Sequence, residues 1–387
     1  MSTKRSDGNK ALFTPGPLNC TLSVKKAMLR DLGSRDLEFI QTVKEIRLEL
    51  LRVAGVGCDE FTALLLQGSG TYAVEAVLHT VLPRSGGKIL ILVNGAYGRR
   101  MQSMCSYVPS IEVVVLEFGE DEAVCEAQVE NLLRESKIEF SAVCVVHCET
   151  SSGVINPIES IGRAVKRQRP ECVFVVDAMS SFGAVELDLR SAGVDFLVSS
   201  ANKCLQGVPG FAFVIARTKK LLLCQGNARC LSLDLLAQHK GLEGDGQFRF
   251  TPPTHALLAF RQALKEFWDE GGPAARAHRY KKNCQIIQDG MRELGFRTLL
   301  DKNKKGADGY IISSFRFPDH PNFNFEEFYK NLSALGLVIY PGKVTRAPCF
   351  RIGHIGDLNA ADMERLIASI KIVLKEMKVE NLDAKEE

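Results

Sequence analysis

The sequence predicts an α/β protein, with a large domain built on a mostly parallel sheet and a smaller α+β domain at the C-terminus. Three observations carry that prediction. Between Phe61 and Ala216, short apolar and β-branched runs alternate with helix-length stretches, the pattern of parallel strands joined by crossover helices. Two of those runs lead into reactive side chains: Cys172-Val173-Phe174-Val175-Val176 ends in Asp177, and Val194-Asp195-Phe196-Leu197-Val198 runs toward Lys203. Gly271-Gly272-Pro273 then breaks a long helical stretch, and the alternation stops beyond it.

At 387 residues the chain can hold two domains with real cores, and 45% hydrophobic with 25% charged residues is ordinary for a globular protein, which excludes a disordered chain. There are 49 basic and 46 acidic residues, for a formal net charge of +3, with no long basic block; no nucleic-acid partner is expected. No run approaches the roughly 20 apolar residues of a membrane span. The 12 cysteines stand singly, without a C-x-x-C pair and without a signal peptide before them, and read as reduced thiols of a cytoplasmic protein. Cys144 and Cys148 flank His147, but the stretch alternates like a strand and lacks a second ligand pair, so no metal site is expected.

In chain order, residues 1–20 read as an N-terminal arm. Within it Phe13-Thr14-Pro15-Gly16-Pro17-Leu18 is a rigid extended loop, because each proline restricts itself and the residue before it. A helix is expected over 23–32 and a longer one over 37–53, where Phe39, Ile40, Val43, Ile46, Leu50 and Val53 keep a helical period. A strand at 61–66 feeds Gln67-Gly68-Ser69-Gly70-Thr71, which opens the next helix. Such a turn is an anion site, since free backbone N–H groups and the helix dipole converge on it. The same letters, G-S-G-T-Y-A, fit a dinucleotide fingerprint, but the following strand ends in Asn94-Gly95 where a ribose-binding acid is expected.

Tyr97 sits between Gly95 and Gly98 at that strand end, placed either to stack on a planar ring or to pack the loop. Then come a strand at 112–116, a helix at 123–135, a strand at 142–147 ending near Glu149-Thr150, a helix at 158–169, and the strand that ends in Asp177. A lysine just past a strand end in apolar surroundings can shed its proton and attack a carbonyl. Alone, Lys203 could be a solvated surface lysine and Asp177 a helix cap. Together they supply what pyridoxal phosphate needs, an amine for its aldehyde and a carboxylate for its ring nitrogen. A strand at 211–216 follows, then an expected polar loop at 233–249, and Phe250-Thr251-Pro252-Pro253 before a helix at 255–270. The large domain is thus expected over 21–272 and the small one over 273–387, the latter with helices at 274–294 and 325–335, a strand at 310–317, the stretch Val338-Ile339-Tyr340-Pro341-Gly342-Lys343, Phe350-Arg351-Ile352-Gly353 and a final helix.

Eight ordered stretches, LFTPGPL, LLLQGSGTYAVEA, VNGAYGRRM, HCETSSGVINP, VVDAMSSFGA, SSANKCLQGVPGF, RFTPPTHALLAF and VIYPGKVTRAPCFRIGHIG, span nearly the whole chain. In that order and spacing they resemble the class V, fold-type I pyridoxal phosphate aminotransferases, most closely the 2-aminoethylphosphonate–pyruvate aminotransferases. The resemblance implies that Lys203 is the Schiff-base lysine, that Asp177 pairs the ring nitrogen, that Thr150 bonds the ring 3-hydroxyl, and that Tyr97 stacks on the ring. Met179, two residues beyond Asp177, is placed either to pack the other ring face or to fill the core. Ser69, Gly70 and Thr71 become the phosphate cup. Thr251 falls where the family reaches a neighbouring subunit's cofactor phosphate, which implies a homodimer with shared sites. Arg351 matches the arginine that holds the substrate's acid group. A guanidinium fork suits a carboxylate or a phosphonate; on the residues alone, a structural ion pair is the alternative. One position departs from the family, GSRDLEF placing Arg35 where those enzymes carry an aromatic residue.

The implied reaction moves the amino group of 2-aminoethylphosphonate to pyruvate, giving phosphonoacetaldehyde and alanine. A transaminase of alanine or serine with glyoxylate or pyruvate is the near alternative; an NAD-dependent dehydrogenase and a silent binding protein are the distant ones. Besides Arg351, the cations Arg35, Arg249, Lys343 and Arg346 are candidates to hold the phosphonate.

Overall fold

The computed structural model describes residues 8–300, 306, 308–344, 347–379 and 382. Seven strands make the central sheet: β1 Phe61–Gln67, β2 Gly87–Val93, β3 Ile111–Glu117, β4 Ala142–Val146, β5 Val173–Asp177, β6 Phe196–Ser200 and β7 Phe211–Arg217. Their spatial order is β1-β7-β6-β5-β4-β2-β3. β7 is antiparallel to both neighbours, and every other pairing in this sheet is parallel. The strands other than β7 therefore send their carboxyl ends to one edge, and that edge is where ligands collect in such sheets.

Burial explains the arrangement. β4 and β6 are buried at every residue, so the sheet must be covered on both faces, which crossover helices accomplish. The edge strand β3 is half-exposed and carries charges, with Glu112 paired to Lys88 at 3.0 Å and Glu117 to Arg99 at 2.9 Å. The flanking helices include α1 Leu37–Val53, α2 Gly70–Val81 and α3 Ala96–Ser106.

Three expectations are corrected. The stretch read as a polar loop holds a helix, α4 Leu235–Gly244, in which Leu235, Leu236, His239 and Leu242 are buried. Asp234 starts it, accepting the Ala237 N–H at 2.9 Å, and Gly241 and Gly244, two of the glycines that suggested a loop, lie inside the helix. The helix expected over 23–32 is a single turn, Leu22–Lys26, followed by a tighter turn at Ala27–Leu29. The helix expected to start at residue 123 starts at Glu126.

Helix α5 Thr254–Glu270 stops at Gly271, whose φ of 113° suits glycine, and α6 Gly272–Glu293 starts at once with a proline in its first turn. α6 links two hydrophobic cores: its Tyr280 packs in the first, around the central sheet, and its Ile287 and Met291 in the second. The second core lies under a small sheet of β8 Ile312–Arg316, β9 Tyr340–Pro341 and β10 Cys349–Gly353, with the final helix α7 Ala360–Glu376. Ala11 and Phe13 of the arm pack into it too, and Ala11–Leu12 pairs in parallel with Leu337–Val338. Among the described residues, no helix is long and apolar enough to cross a membrane.

Candidate active site

β5 and β6 are hydrogen-bonded neighbours with Asp177 opposite Val198, so the two side chains expected to work together come from adjacent strand ends. Asp177 is 6% exposed. Its Oδ1 accepts the Met179 N–H at 2.9 Å, while Oδ2 has no hydrogen bond among the described residues. Burial pushes this carboxyl up to about 6, against the pull of the Met179 N–H and of the cations Lys203 and Arg100. Burial likewise pushes Lys203 down to about 8, with Arg351 and Arg100 adding to the effect and Asp177 opposing it. Lys203 Nζ donates to the carbonyls of Pro15 at 2.8 Å and Gly16 at 3.2 Å, so the proline-glycine loop of the arm closes over the lysine. Gly16 has φ 108°, and a Cβ there would stand 2.6 Å from Lys203 Cδ; only glycine lets the loop come this close.

Asp177 opens into a pocket lined also by Gly70, Thr71, Tyr97, Arg100 and Met179. The N-terminus of α2 faces it uncapped. Ser69 makes no side-chain capping bond, and the N–H groups of Gly70 and Thr71 have no partner among the described residues. A Cβ on Gly70 would lie 2.3 Å from Met179 Sδ, so a larger residue there would push the Met179 side chain out of its present place. Arg100 was not singled out from the sequence. It lies one turn after Tyr97 on α3, donates Nη1 to Thr71 Oγ1 at 3.3 Å, and stands 4.9 Å from the Tyr97 ring centroid; that helical spacing from Tyr97 was the signal for it.

Tyr97 is held by another residue with no assigned role, Glu149. Its Oε2 accepts the N–H groups of Tyr97 at 3.2 Å and Gly98 at 3.4 Å, and its Oε1 accepts the Ser151 hydroxyl at 2.5 Å. A fully buried carboxylate thus caps the start of α3, where the helix dipole favours negative charge. Burial raises its pKa, and those hydrogen bonds oppose the shift.

Thr150 is buried, and its hydroxyl has no hydrogen bond among the described residues. Its carbonyl accepts Arg351 Nη1 at 2.7 Å. Arg351, on β10, also donates Nε to the Pro341 carbonyl at 2.9 Å and lies 5.0 Å from the Tyr340 ring. It is 2% exposed and has no carboxylate partner among the described residues, which removes the structural ion pair as its explanation. Burial lowers its pKa, partly offset by Tyr97 and Tyr340. Its partners are thus two carbonyls and the Tyr97 side chain, with no anion to balance the buried charge among the described residues.

Of the other cations, Lys343 is at the site. Its Nζ stands 4.3 Å from the Tyr97 ring centroid, and burial together with Arg100 and Arg351 lowers its pKa. Arg249 spends its guanidinium on the carbonyls of Leu231 at 2.9 Å and Asp234 at 3.4 Å. Arg35 is exposed and makes no hydrogen bond or ion pair among the described residues; Arg346 lies outside them. Thr251 is exposed and does not line its own chain's pocket. Gln67 Nε2 holds its loop beside the glycine turn, donating to the carbonyls of Phe250 at 2.7 Å and Thr251 at 2.9 Å.

These residues fit pyridoxal phosphate. An uncapped helix N-terminus suits its phosphate, an aromatic face its ring, an open carboxylate oxygen its ring nitrogen, and a buried amine its aldehyde. The sequence profile of aminotransferase class-V matches residues 22–379. The chain is 48% identical over 361 residues to the 2-aminoethylphosphonate–pyruvate transaminase of Syntrophobacter fumaroxidans, covering 93% of this chain and 95% of that one. With the protein of the same name from Phocaeicola vulgatus it is 47% identical, covering 94% and 99%. The alanine–glyoxylate aminotransferase from Nostoc sp. shares its fold, with a TM-score of 0.84 at 23% identity over 95% of each chain. The chain belongs to the class-V aminotransferases, a family of fold-type I architecture that implies dependence on pyridoxal phosphate.

Proposed function

We propose that this protein is a pyridoxal phosphate-dependent transaminase that carries the amino group of 2-aminoethylphosphonate to pyruvate, leaving phosphonoacetaldehyde and alanine. The observation that carries the reading is Arg351, a buried guanidinium without a carboxylate partner among the described residues, with the cations Lys343 and Arg100 grouped at the Tyr97 ring. Relatives up to 48% identical bear the name of this reaction.

When bound, the cofactor supplies an aldehyde carbon and an electron-withdrawing ring. Asp177 holds the proton on the ring nitrogen through its open Oδ2. Lys203 Nζ would hold the group and, when free of it, would move a proton at the substrate carbon, for which a pKa near 8 suits it. Tyr97 and Met179 would hold the ring, and Thr150 would offer it a hydroxyl. Ser69, Gly70 and Thr71, with Arg100 behind Thr71, bind the phosphate. Arg351 orients the acid group that donor and acceptor share.

The proposal includes a cytoplasmic homodimer in which Thr251 completes the partner's phosphate site; its exposure, and a hydroxyl with no hydrogen bond among the described residues, support this. It also includes a division into an arm at 1–20, a large domain at 21–272 and a small one at 273–387. The test of function is a panel of donors and acceptors, read as kcat/KM. 2-Aminoethylphosphonate with pyruvate should rank first, and a higher value for alanine or serine with glyoxylate or pyruvate overturns the assignment.

A further inference from the structure

Lys203 heads a loop that a second set of buried groups grips from behind. The next carbonyl, that of Cys204, accepts a hydrogen bond from the Tyr280 hydroxyl at 3.2 Å and another from Arg276 Nη1. Tyr280 and Arg276 lie one turn apart on α6 and are 0% and 1% exposed. Gln206 closes the loop, its N–H bonding the Lys203 carbonyl at 2.8 Å at a φ of 59°, where a residue with a long side chain is held against its preference. Its Nε2 donates to the Tyr280 hydroxyl at 2.8 Å.

That hydroxyl has a third partner, the Gly356 N–H at 3.3 Å. Gly356 lies in the loop that follows β10, the strand bearing Arg351. A tyrosine hydroxyl has one proton to give and two lone pairs to offer. Here the proton goes to the lysine loop and the lone pairs to Gln206 and Gly356, so its capacity is fully used. Arg279, on the same helix, adds bonds to the carbonyls of Gly356 at 2.7 Å and Leu358 at 2.9 Å, and it shares Glu270 with Arg276. None of these side chains lines the pocket or takes part in the reaction described above.

We propose that Tyr280 is a positioning residue that ties the loop carrying Lys203 to the loop after Arg351, so that the reactive amine and the acid-binding guanidinium keep a fixed separation. The proposal rests on the reading of Lys203 and Arg351 given above. A merely structural Tyr280 would raise stability and leave the lysine's reactivity alone; a positioning Tyr280 sets that reactivity, because small displacements of a reacting group are costly.

The test uses Tyr280→Phe, which keeps the ring and deletes the hydroxyl. Cofactor-free protein is mixed with pyridoxal phosphate, and visible absorbance follows the bond between Lys203 Nζ and the aldehyde carbon, formed with loss of one water. Borohydride reduction and peptide mapping identify the lysine. The expected result is a capture rate lower on the order of tenfold, with affinity for inorganic phosphate, a probe of the α2 N-terminus, unchanged. A folded variant that captures the cofactor at the wild-type rate overturns the proposal, whatever its melting temperature. Should Tyr280→Phe not fold, Gln206→Met removes one bond to the hydroxyl from the loop side; slowing supports the proposal and a wild-type rate ends it. Wild-type protein that never captures the cofactor through Lys203 is a different failure, one that refutes the reading of the lysine and takes the proposal with it.

Discussion

Replacing Arg351 by lysine keeps the charge and removes the planar fork. The guanidinium now spends Nη1 on the Thr150 carbonyl and Nε on the Pro341 carbonyl, at 2.7 and 2.9 Å, and meets no carboxylate among the described residues. An ammonium in its place can serve a carbonyl or a substrate acid, without two parallel bonds to either. For the bound acid the loss is one charge-assisted hydrogen bond, about 1.5–3 kcal/mol. That corresponds to about one to two powers of ten in kcat/KM. The loss should fall on both half-reactions, because the donor's phosphonate and pyruvate's carboxylate use the same guanidinium in turn. Stopped-flow measurement of each half-reaction gives the two constants, and thermal melts of the same preparations give the stability. Wild-type constants in both half-reactions with only a lower Tm would refute the reasoning and make Arg351 a brace for two loops. If the pyruvate half-reaction alone suffers, Arg351 reads the carboxylate, and Lys343 is the next residue to replace.

The pH dependence of cofactor capture should follow Lys203, with a midpoint near 8 because the neutral amine is the reactive form. Arg351→Gln removes a positive charge that disfavours the ammonium, so the midpoint should rise; Asp177→Asn removes a negative charge that favours it, so the midpoint should fall, and no movement in either variant sinks the account. Folding lowers this pKa from its usual 10.5, so in cofactor-free protein the lysine costs stability at and below pH 8, a cost that fades as pH rises toward 10.5. Asp177→Ala should cut turnover by several orders of magnitude and weaken cofactor binding, since the ring nitrogen loses its counter-charge; unchanged values would remove Asp177 from the site. Glu149→Gln should cost about 1–3 kcal/mol in a denaturant melt, because the amide cannot accept all the donors that now converge on the carboxylate; an unshifted melt contradicts the capping role. Mixing Thr251→Ala with Lys203→Ala subunits should restore activity at half of the sites, because one site in the mixed dimer carries neither lesion. Mixing without recovery, despite proven subunit exchange, rules out the shared site.

The parts of the site legible in the sequence share a feature: each is announced by its own neighbours. Apolar runs ending in Asp177 and leading to Lys203 mark strand ends whatever the rest of the chain does, and Gly68-Ser69-Gly70 marks a helix start. The helix α4 went unread because Gly241 and Gly244 imitate a loop, while the burial of Leu235, Leu236 and Leu242 that overrides them comes from contacts elsewhere in the fold. Arg100 and Glu149 went unread for a related reason, since a charged residue in a helix or after a strand is unremarkable until its partners are known.

By itself, then, the sequence determined what short-range sterics and periodicity control: the order of strands and helices, the break at Gly271-Gly272, and the placing of an acid and an amine past two buried strand ends. The tertiary structure decided which distant groups meet and which are left unpaired. Arg351 could have been one half of an ion pair, and it is instead a buried cation facing carbonyls. Tyr280, an ordinary tyrosine in a long helix, collects three partners from Cys204, Gln206 and Gly356. The physical reason is one of range. Backbone preference acts over a few residues, whereas the charge state of a buried group and the satisfaction of its hydrogen bonds depend on every segment that folding brings against it.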